Sequence, residues 1–115
     1  MIKIVGNRQA ETMEHAALKY LIAAVLEKAG HKVTVEHKIS KGFINSDIAD
    51  VYDATAGLVY EIQSKKDVAQ EKSKVERYLK TVGINDIIFI YTKDYDMRPI
   101  LNSVAFRQLK YKLGF

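Results

Sequence analysis

Two acidic residues, Asp50 and Glu61, stand in short apolar segments on either side of a turn-forming sequence. Apolar and polar residues alternate over residues 58–63, so a strand there would point Glu61 and Gln63 to one face. Buried polar side chains cost free energy unless they are paired or bind a metal. Mg²⁺ is usually held by one or two carboxylates together with phosphate oxygens of the substrate. The spacing therefore predicts a divalent-metal site that acts on phosphate. The structural alternative is that Asp50 caps the hairpin and Glu61 pairs with a lysine on the sheet surface.

Composition and charge limit the classes of protein that the chain can form. Its 115 residues, 48% apolar and 28% charged, are ordinary for one globular domain, which we expect to span residues 1–115. The absence of cysteine excludes disulfides and thiolate metal sites and fits the cytoplasm. We expect no membrane association, because we identify neither an apolar segment of roughly 20 residues nor a signal peptide. The net charge of +4 and pI of about 9.2 favour a polyanionic partner.

The pattern of apolar residues predicts an α/β protein. Residues 1–5 could form a short strand or an ordered arm, and the next elements are expected in the order helix, three strands, helix, strand, helix. Their ranges are 8–29, 32–39, 50–53, 58–63, 68–82, 86–92 and 100–113. We expect the last strand to be covered on both faces, and it should follow its predecessor by a right-handed parallel crossover. The residues expected near the buried side of the first helix are Met13, Ala17, Leu21, Ala24 and Leu26.

This element order and the two acidic residues together resemble the PD-(D/E)xK nuclease superfamily. The resemblance implies a restriction-endonuclease-like core, with a mixed central sheet flanked by helices. The superfamily motif is an aspartate entering one strand and (D/E)-x-K on its neighbour. Asp50 corresponds to the aspartate and Glu61-x-Gln63 to the second part, with glutamine in place of the usual lysine.

Within the superfamily, the chain is most similar to the nuclease domain of CoiA-type competence proteins, and more loosely to archaeal Holliday-junction resolvases. The resemblance covers roughly residues 11–92. It implies an Mg²⁺- or Mn²⁺-dependent nuclease of double-stranded or branched DNA in recombination, repair or uptake processing, and a homodimer like the junction-cleaving relatives. The shared residues are Glu14-His15 with Lys19, then Glu36, Asp50-Val51 and Glu61-Ile62-Gln63-Ser64.

The resemblance also implies a metal shell. Asp50, Glu61 and the backbone carbonyl of Ile62 would hold the metal ion, and Glu14 of the first helix would lie beside it. A metal held in this way would compensate the phosphate charge and generate the attacking hydroxide.

The remaining catalytic residues implied by the resemblance are Gln63, His15 and Lys19. The family lysine orients or activates the attacking water, and Lys65 or Lys19 could supply the ammonium group that Gln63 lacks. Two alternatives to a DNA nuclease stay open: a catalytically inactive DNA-binding or scaffold module on the same fold, and an RNA-directed nuclease.

Charged residues on the two longer helices have two interpretations. Glu11, His15 and Lys19 follow at four-residue steps, which alone favours an exposed salt-bridged face that contributes little stability. The basic residues around the second helix could contact phosphates, although interleaved acids make a solvent-exposed face equally consistent. These basic residues are Lys65, Lys66, Lys72, Lys74 and Arg77.

Overall fold

The computed structural model describes residues 3–4, 12–39, 47–96 and 98–101, and within them it confirms the α/β class. Most of the closing helix predicted over residues 100–113 lies outside the described residues, as does Glu11. The strands are β1 (Lys3–Ile4), β2 (Val33–Lys38), β3 (Ile48–Asp53), β4 (Leu58–Gln63) and β5 (Asp86–Tyr91). The helices are α1 (Met13–Lys28), α2 (Val68–Tyr78) and α3 (Arg98–Leu101), with a 3-10 turn at Thr92–Asp94.

The five strands form one mixed sheet in the order β1-β2-β3-β4-β5. Strands β2, β3 and β4 are antiparallel neighbours, and β5 lies parallel to β4, as the strand–helix–strand step predicts. Among the described strands β5 is the last of this order, and Ile88 is exposed. Both faces of β5 nevertheless contact a helix, as the apolar run predicts: Ile87 packs with Tyr78 of α2, and Ile90 packs against Ala17 and Leu18 of α1.

Helix α1 begins after Thr12, whose hydroxyl accepts a hydrogen bond from the His15 N–H at 3.1 Å. Its buried stripe differs from the predicted one: Met13, Leu21 and Ala24 are exposed. The buried apolar residues are Ala16, Ala17, Leu18, Tyr20 and Ala23. The small alanine side chains let the helix lie close to the sheet, so its rotation follows the fit to the sheet and not the largest apolar residues.

The turn between β3 and β4 falls at residues 54–57, where the sequence predicts it. Gly57 has a φ of +70°, and a Cβ atom there would lie 2.4 Å from Nδ2 of Asn85. The left-handed backbone favours glycine, and any Cβ atom would require the Asn85 side chain to shift. The turn therefore fixes the register that places Asp50 and Glu61 near the far end of the hairpin.

The two long helices pack against different groups of sheet residues. Helix α1 contacts the cluster that contains Val35 and Val51, and Tyr78 of α2 packs with Val59 on β4. Strand β4 contacts both helices, because Ile62 packs against α1 residues while Val59 packs against α2. In the described part of the chain, no helix is both long and apolar enough to cross a bilayer.

Candidate active site

The pairing of β3 with β4 stops short of the open end of the hairpin, and Asp50 occupies the gap. The ladder has three pairs, of which Val51 with Tyr60 is the last on that side. Beyond it, Oδ2 of Asp50 accepts a hydrogen bond from the Ile62 N–H at 2.7 Å. The Asp50 side chain thus replaces a strand carbonyl, and its carboxyl is only 1% exposed.

Glu61 lies beside Asp50 and is equally buried, at 1% exposure. Burial and the neighbouring Asp50 charge raise the pKa of Glu61 to about 8, although Lys74 and Tyr78 act in the opposite direction. Its Oε1 atom has no hydrogen-bond partner among the described residues. A buried pair of carboxyls shares a proton at neutral pH when no cation is close enough to neutralise both.

Lys74 of α2 is a site residue that the sequence assigned only to DNA contact. Its Nζ lies 3.8 Å from Oε2 of Glu61, and its side chain is 16% exposed. Glu71, Lys74 and Tyr78 follow at three- and four-residue spacing, so they share one face of α2. Tyr78 is buried in the core beside Glu61, and that spacing was the sequence signal that could have found the Lys74 contact.

The face of α1 that carries His15 and Lys19 is turned to the sheet, so the expectation of an exposed salt-bridged face was wrong. Nε2 of His15 lies 3.5 Å from Oδ2 of Asp50. Nζ of Lys19, at 1% exposure, donates to Oε1 of Glu36 at 2.9 Å. Four-residue spacing places side chains on one face, but it does not say whether that face meets water or a sheet.

Glu36 on β2 has a φ of +55°, the left-handed region that a glutamate rarely adopts. It stands between the pairs Val35–Val51 and His37–Ala49, and therefore across from Asp50. Such strain costs roughly 1–3 kcal/mol and persists only where the surroundings impose it. Here the short contact with Lys19 holds the Glu36 side chain in this position.

Gln63 is bound to α2, whereas the resemblance placed it beside the attacking water. Its Nε2 donates to Oε2 of Glu71 at 3.2 Å, and the hydroxyl of Tyr91 donates to Oε1 of Glu71 at 2.7 Å. Burial opposes the charge of Glu71, but these hydrogen bonds and that of the Asp67 N–H lower its pKa. An ionised carboxylate can only accept hydrogen bonds, so the side-chain amide of Gln63 presents its NH₂ group to Glu71. Oε1 of Gln63 is left buried without a partner among the described residues.

The predicted metal shell is assembled only in part. Glu14 is exposed near the start of α1, whereas the backbone of Ile62 lies beside Asp50, which accepts from the Ile62 N–H. The Ile62 carbonyl stays a predicted ligand. Among the residues that the structure covers, no three His, Asp or Glu side chains form a group that could hold a metal ion. Asp50 and Glu61 are therefore the central acidic pair of the predicted metal ligands.

The predicted DNA-contacting residues separate into two groups. Lys65, Lys66 and Lys72 are exposed, as phosphate contacts require. Lys74 is turned to Glu61, and Arg77 is bound to Asp47 through Nε at 2.9 Å and Nη2 at 3.2 Å. Arg77 is thus partly neutralised, while the first three lysines have the accessibility that DNA binding needs.

Acidic and basic side chains meet at the site. Three buried carboxyl groups, those of Glu36, Asp50 and Glu61, face two ammonium groups, those of Lys19 and Lys74. His15 lies 3.5 Å from Asp50 as a further basic side chain, and burial beside Asp50 raises the pKa of Glu61 to about 8. Carboxylate oxygens suit Mg²⁺ and Mn²⁺, and the unpartnered Oε1 of Glu61 offers a ligand position. Asp50 and Glu61 are thus oxygen donors of the type that a divalent metal takes, and the described residues supply no third His, Asp or Glu side chain to complete a group with them.

A cavity of about 290 Å³ opens between the end of β4 and the start of α2. It is lined by Ile62, Gln63, Ser64, Lys65, Asp67, Gln70 and Lys74. Comparisons with protein-family models, with curated proteins and with solved structures found no match. The function is therefore argued from the geometry of this site and from the motif in the sequence.

Proposed function

We propose that this protein is a metal-dependent nuclease that hydrolyses phosphodiester bonds in DNA, on a restriction-endonuclease-like fold of the PD-(D/E)xK type. The observation that carries the proposal is the pair Asp50 and Glu61, buried side by side where the β3–β4 ladder opens. Burying two carboxyls side by side is costly, even with Lys74 and His15 close to them. A divalent cation relieves that cost and gives the pair a function.

The residues of the site have distinct roles in this proposal. A bound Mg²⁺ or Mn²⁺ would neutralise charge on the phosphate and favour ionisation of water. Asp50 and Glu61 would hold the ion, and the Ile62 N–H fixes the orientation of Asp50. Oε1 of Gln63, kept free by the bond from Nε2 to Glu71, can accept a hydrogen bond from water. His15 contacts Asp50 and belongs to the residue type that exchanges protons near neutral pH.

The arrangement of elements supports the same proposal. The order α1-β2-β3-β4-α2-β5 is the succession expected of the superfamily core, with the acidic residues on adjacent central strands. The exposed lysines Lys65, Lys66 and Lys72 lie on β4–α2 sequence next to the site and could bind the phosphate backbone.

The test is to change each carboxyl to its amide. Asp50→Asn and Glu61→Gln keep side-chain size but remove a negative charge from the site, so we expect each to lower Mg²⁺- or Mn²⁺-dependent cleavage of plasmid DNA by about 10²-fold or more. The measurement is initial rate at several metal concentrations, with Mn²⁺ binding followed by calorimetry.

Glu76→Gln is the matched control, because Glu76 is an exposed carboxyl of α2. It should cleave like the wild type. Equal cleavage by the wild type and both site variants, with an unchanged metal optimum, would show that the metal site is elsewhere.

One observation favours an inactive DNA-binding module as a second candidate. Gln63 replaces the motif lysine, and its amide is engaged with Glu71. Such a module would bind DNA but would bind neither Mn²⁺ nor Mg²⁺ at millimolar concentration. Cleavage assays on plasmid DNA, single-stranded DNA, branched DNA and RNA would also distinguish a DNA nuclease from an RNA-directed nuclease.

A further inference from the structure

Lys74 is placed where a cation could serve both the carboxyl pair and a bound phosphate. Its Nζ is 3.8 Å from Oε2 of Glu61, and its side chain lines the cavity beside β4. A separation of 3.8 Å is too long for a hydrogen bond, so the ammonium group is attracted to Glu61 without being bound to it. Lys19, by contrast, makes a full hydrogen bond to Glu36 at 2.9 Å. Of these two lysines, Lys74 is the one held loosely enough to contact a substrate.

The position of Lys74 is fixed by the residue that replaces the motif lysine. Gln63 on β4 binds Glu71, which lies three residues before Lys74 on the same face of α2. Tyr91 on β5 binds the other carboxylate oxygen of Glu71. Two adjacent strands therefore hold the turn of α2 that carries Lys74, and the cavity lies between that turn and β4.

The cavity has the size and charge for a phosphate group of a nucleic acid. Its volume of about 290 Å³ lies at the low end of the roughly 300–1,000 Å³ of small-molecule pockets, so it suits part of a polymer better than a whole ligand. Lys65 and Lys74 contribute positive charge, while Asp67 is occupied as the N-cap of α2, accepting from the Gln70 N–H at 3.1 Å.

We propose that Lys74 is a catalytic residue of this site and that its ammonium group contacts the scissile phosphodiester seated in the cavity that Lys74 lines. This inference rests on the nuclease function proposed above. In the hydrolysis, a bond forms from the water oxygen to phosphorus and the bond from phosphorus to the leaving oxygen breaks. The water loses a proton to solvent and the leaving oxygen gains one. The Lys74 side chain takes no part in these proton transfers and stabilises the added negative charge, while Gln63 holds the helix that delivers it.

The test uses Lys74→Met, which keeps the apolar stem of the side chain and removes only its charge. We expect kcat for DNA cleavage to fall by about 10²-fold, while the melting temperature and Mn²⁺ binding stay near the wild-type values. Lys28→Ala, at the exposed end of α1, is the control for loss of one positive charge and should cleave normally.

A second variant asks whether the position of the ammonium group matters. Adding Gln63→Lys to Lys74→Met restores a lysine at the motif position. We expect the double variant to cleave DNA at least about tenfold faster than Lys74→Met alone. Wild-type cleavage by Lys74→Met would overturn the assignment of Lys74. A loss of cleavage that accompanies loss of Mn²⁺ binding or of the folded state would also overturn it, because the role would then be structural.

The two proposals fail in different ways. If the wild type cleaves, Asp50→Asn is inactive and Lys74→Met is fully active, only the Lys74 assignment is wrong. If the wild type cleaves no nucleic acid with either metal, the nuclease function itself is wrong and the catalytic role of Lys74 is wrong with it.

Discussion

Glu61 couples the chemistry of the site to pH through its burial beside Asp50. Its pKa rises from 4.5 to about 8 because burial and the Asp50 charge both disfavour the ionised form. The folded protein therefore holds a proton that the unfolded chain releases between those two pH values. Since the folded state binds more protons there, the free energy of unfolding contributed by Glu61 must fall as pH rises from about 4.5 to about 8.

We predict that Glu61→Gln removes this part of the pH dependence. An uncharged amide cannot ionise. As pH rises from roughly 5 to roughly 8, the free energy of unfolding of the variant should therefore fall less than that of the wild type. The measurement is urea unfolding of both proteins across that range, without metal. Parallel curves would show that Glu61 does not hold the proton.

We predict that divalent metal ions stabilise the folded protein most at the alkaline end of this pH range. A divalent cation binds the ionised pair, so Mn²⁺ should raise the melting temperature of the wild type more at pH 8 than at roughly pH 5. Glu61→Gln should show little of this effect.

At the scale of elements, α1 is attached to the sheet by a buried ion pair. Lys19 and Glu36 are in contact at 2.9 Å, and both are buried. The pair also holds Glu36 in its left-handed backbone conformation across from Asp50. Helix α2 is attached differently, through the bonds of Glu71 to Gln63 and Tyr91. The two helices therefore bring separate charged groups to the same opening of the sheet.

We predict that Lys19→Ala destabilises the protein by about 3–5 kcal/mol, because it leaves the Glu36 carboxylate buried without its partner. The double change Lys19→Met with Glu36→Gln should cost less, since no buried charge is left. Chemical unfolding measures both. Lys28→Ala, exposed on the same helix, should stay within about 0.5 kcal/mol of the wild type. A Lys19→Ala protein as stable as Lys28→Ala would restore the interpretation of a solvent-exposed helix face.

At the scale of the whole molecule, the chain has a net charge of +4, and part of its positive charge lies near the site on the exposed lysines Lys65, Lys66 and Lys72. Arg77 contributes less, because it is paired with Asp47. Phosphate contacts release counterions, so the logarithm of the DNA-binding constant should fall linearly with the logarithm of the salt concentration.

The homodimer implied by the resemblance stays a prediction, which sedimentation with and without DNA would measure.

We predict that replacing Lys65, Lys66 and Lys72 together by alanine reduces the salt slope of DNA binding by about 2–3, roughly one unit for each lost phosphate contact. The effect should be similar for unrelated DNA sequences. Replacing the exposed residues Lys28, Lys32 and Lys38 is the control with the same loss of charge. Salt-independent binding, or an equal change of slope in the control, would place the DNA elsewhere.

Local sequence determined the secondary structure and the position of the candidate pair. Alternation over Leu58–Gln63 was sufficient for β4, and Asp67 caps α2 as its residue type predicts. Gly57 marked the turn that sets the register of the hairpin. Asp50 and Glu61 could be paired from the sequence because two strands joined by a short turn must be neighbours.

Only the tertiary structure decided which charged residues meet at that pair. The sequence could not place Lys74 beside Glu61, or bury Lys19 against Glu36, because these contacts depend on how each helix rotates against the sheet. Gln63 likewise acquired its partner through the approach of Glu71 on α2. Periodicity fixes which residues share a face of a helix or strand, whereas the surface that this face meets is selected by long-range packing. Burial then sets the pKa of Glu61, which no local pattern of residues contains.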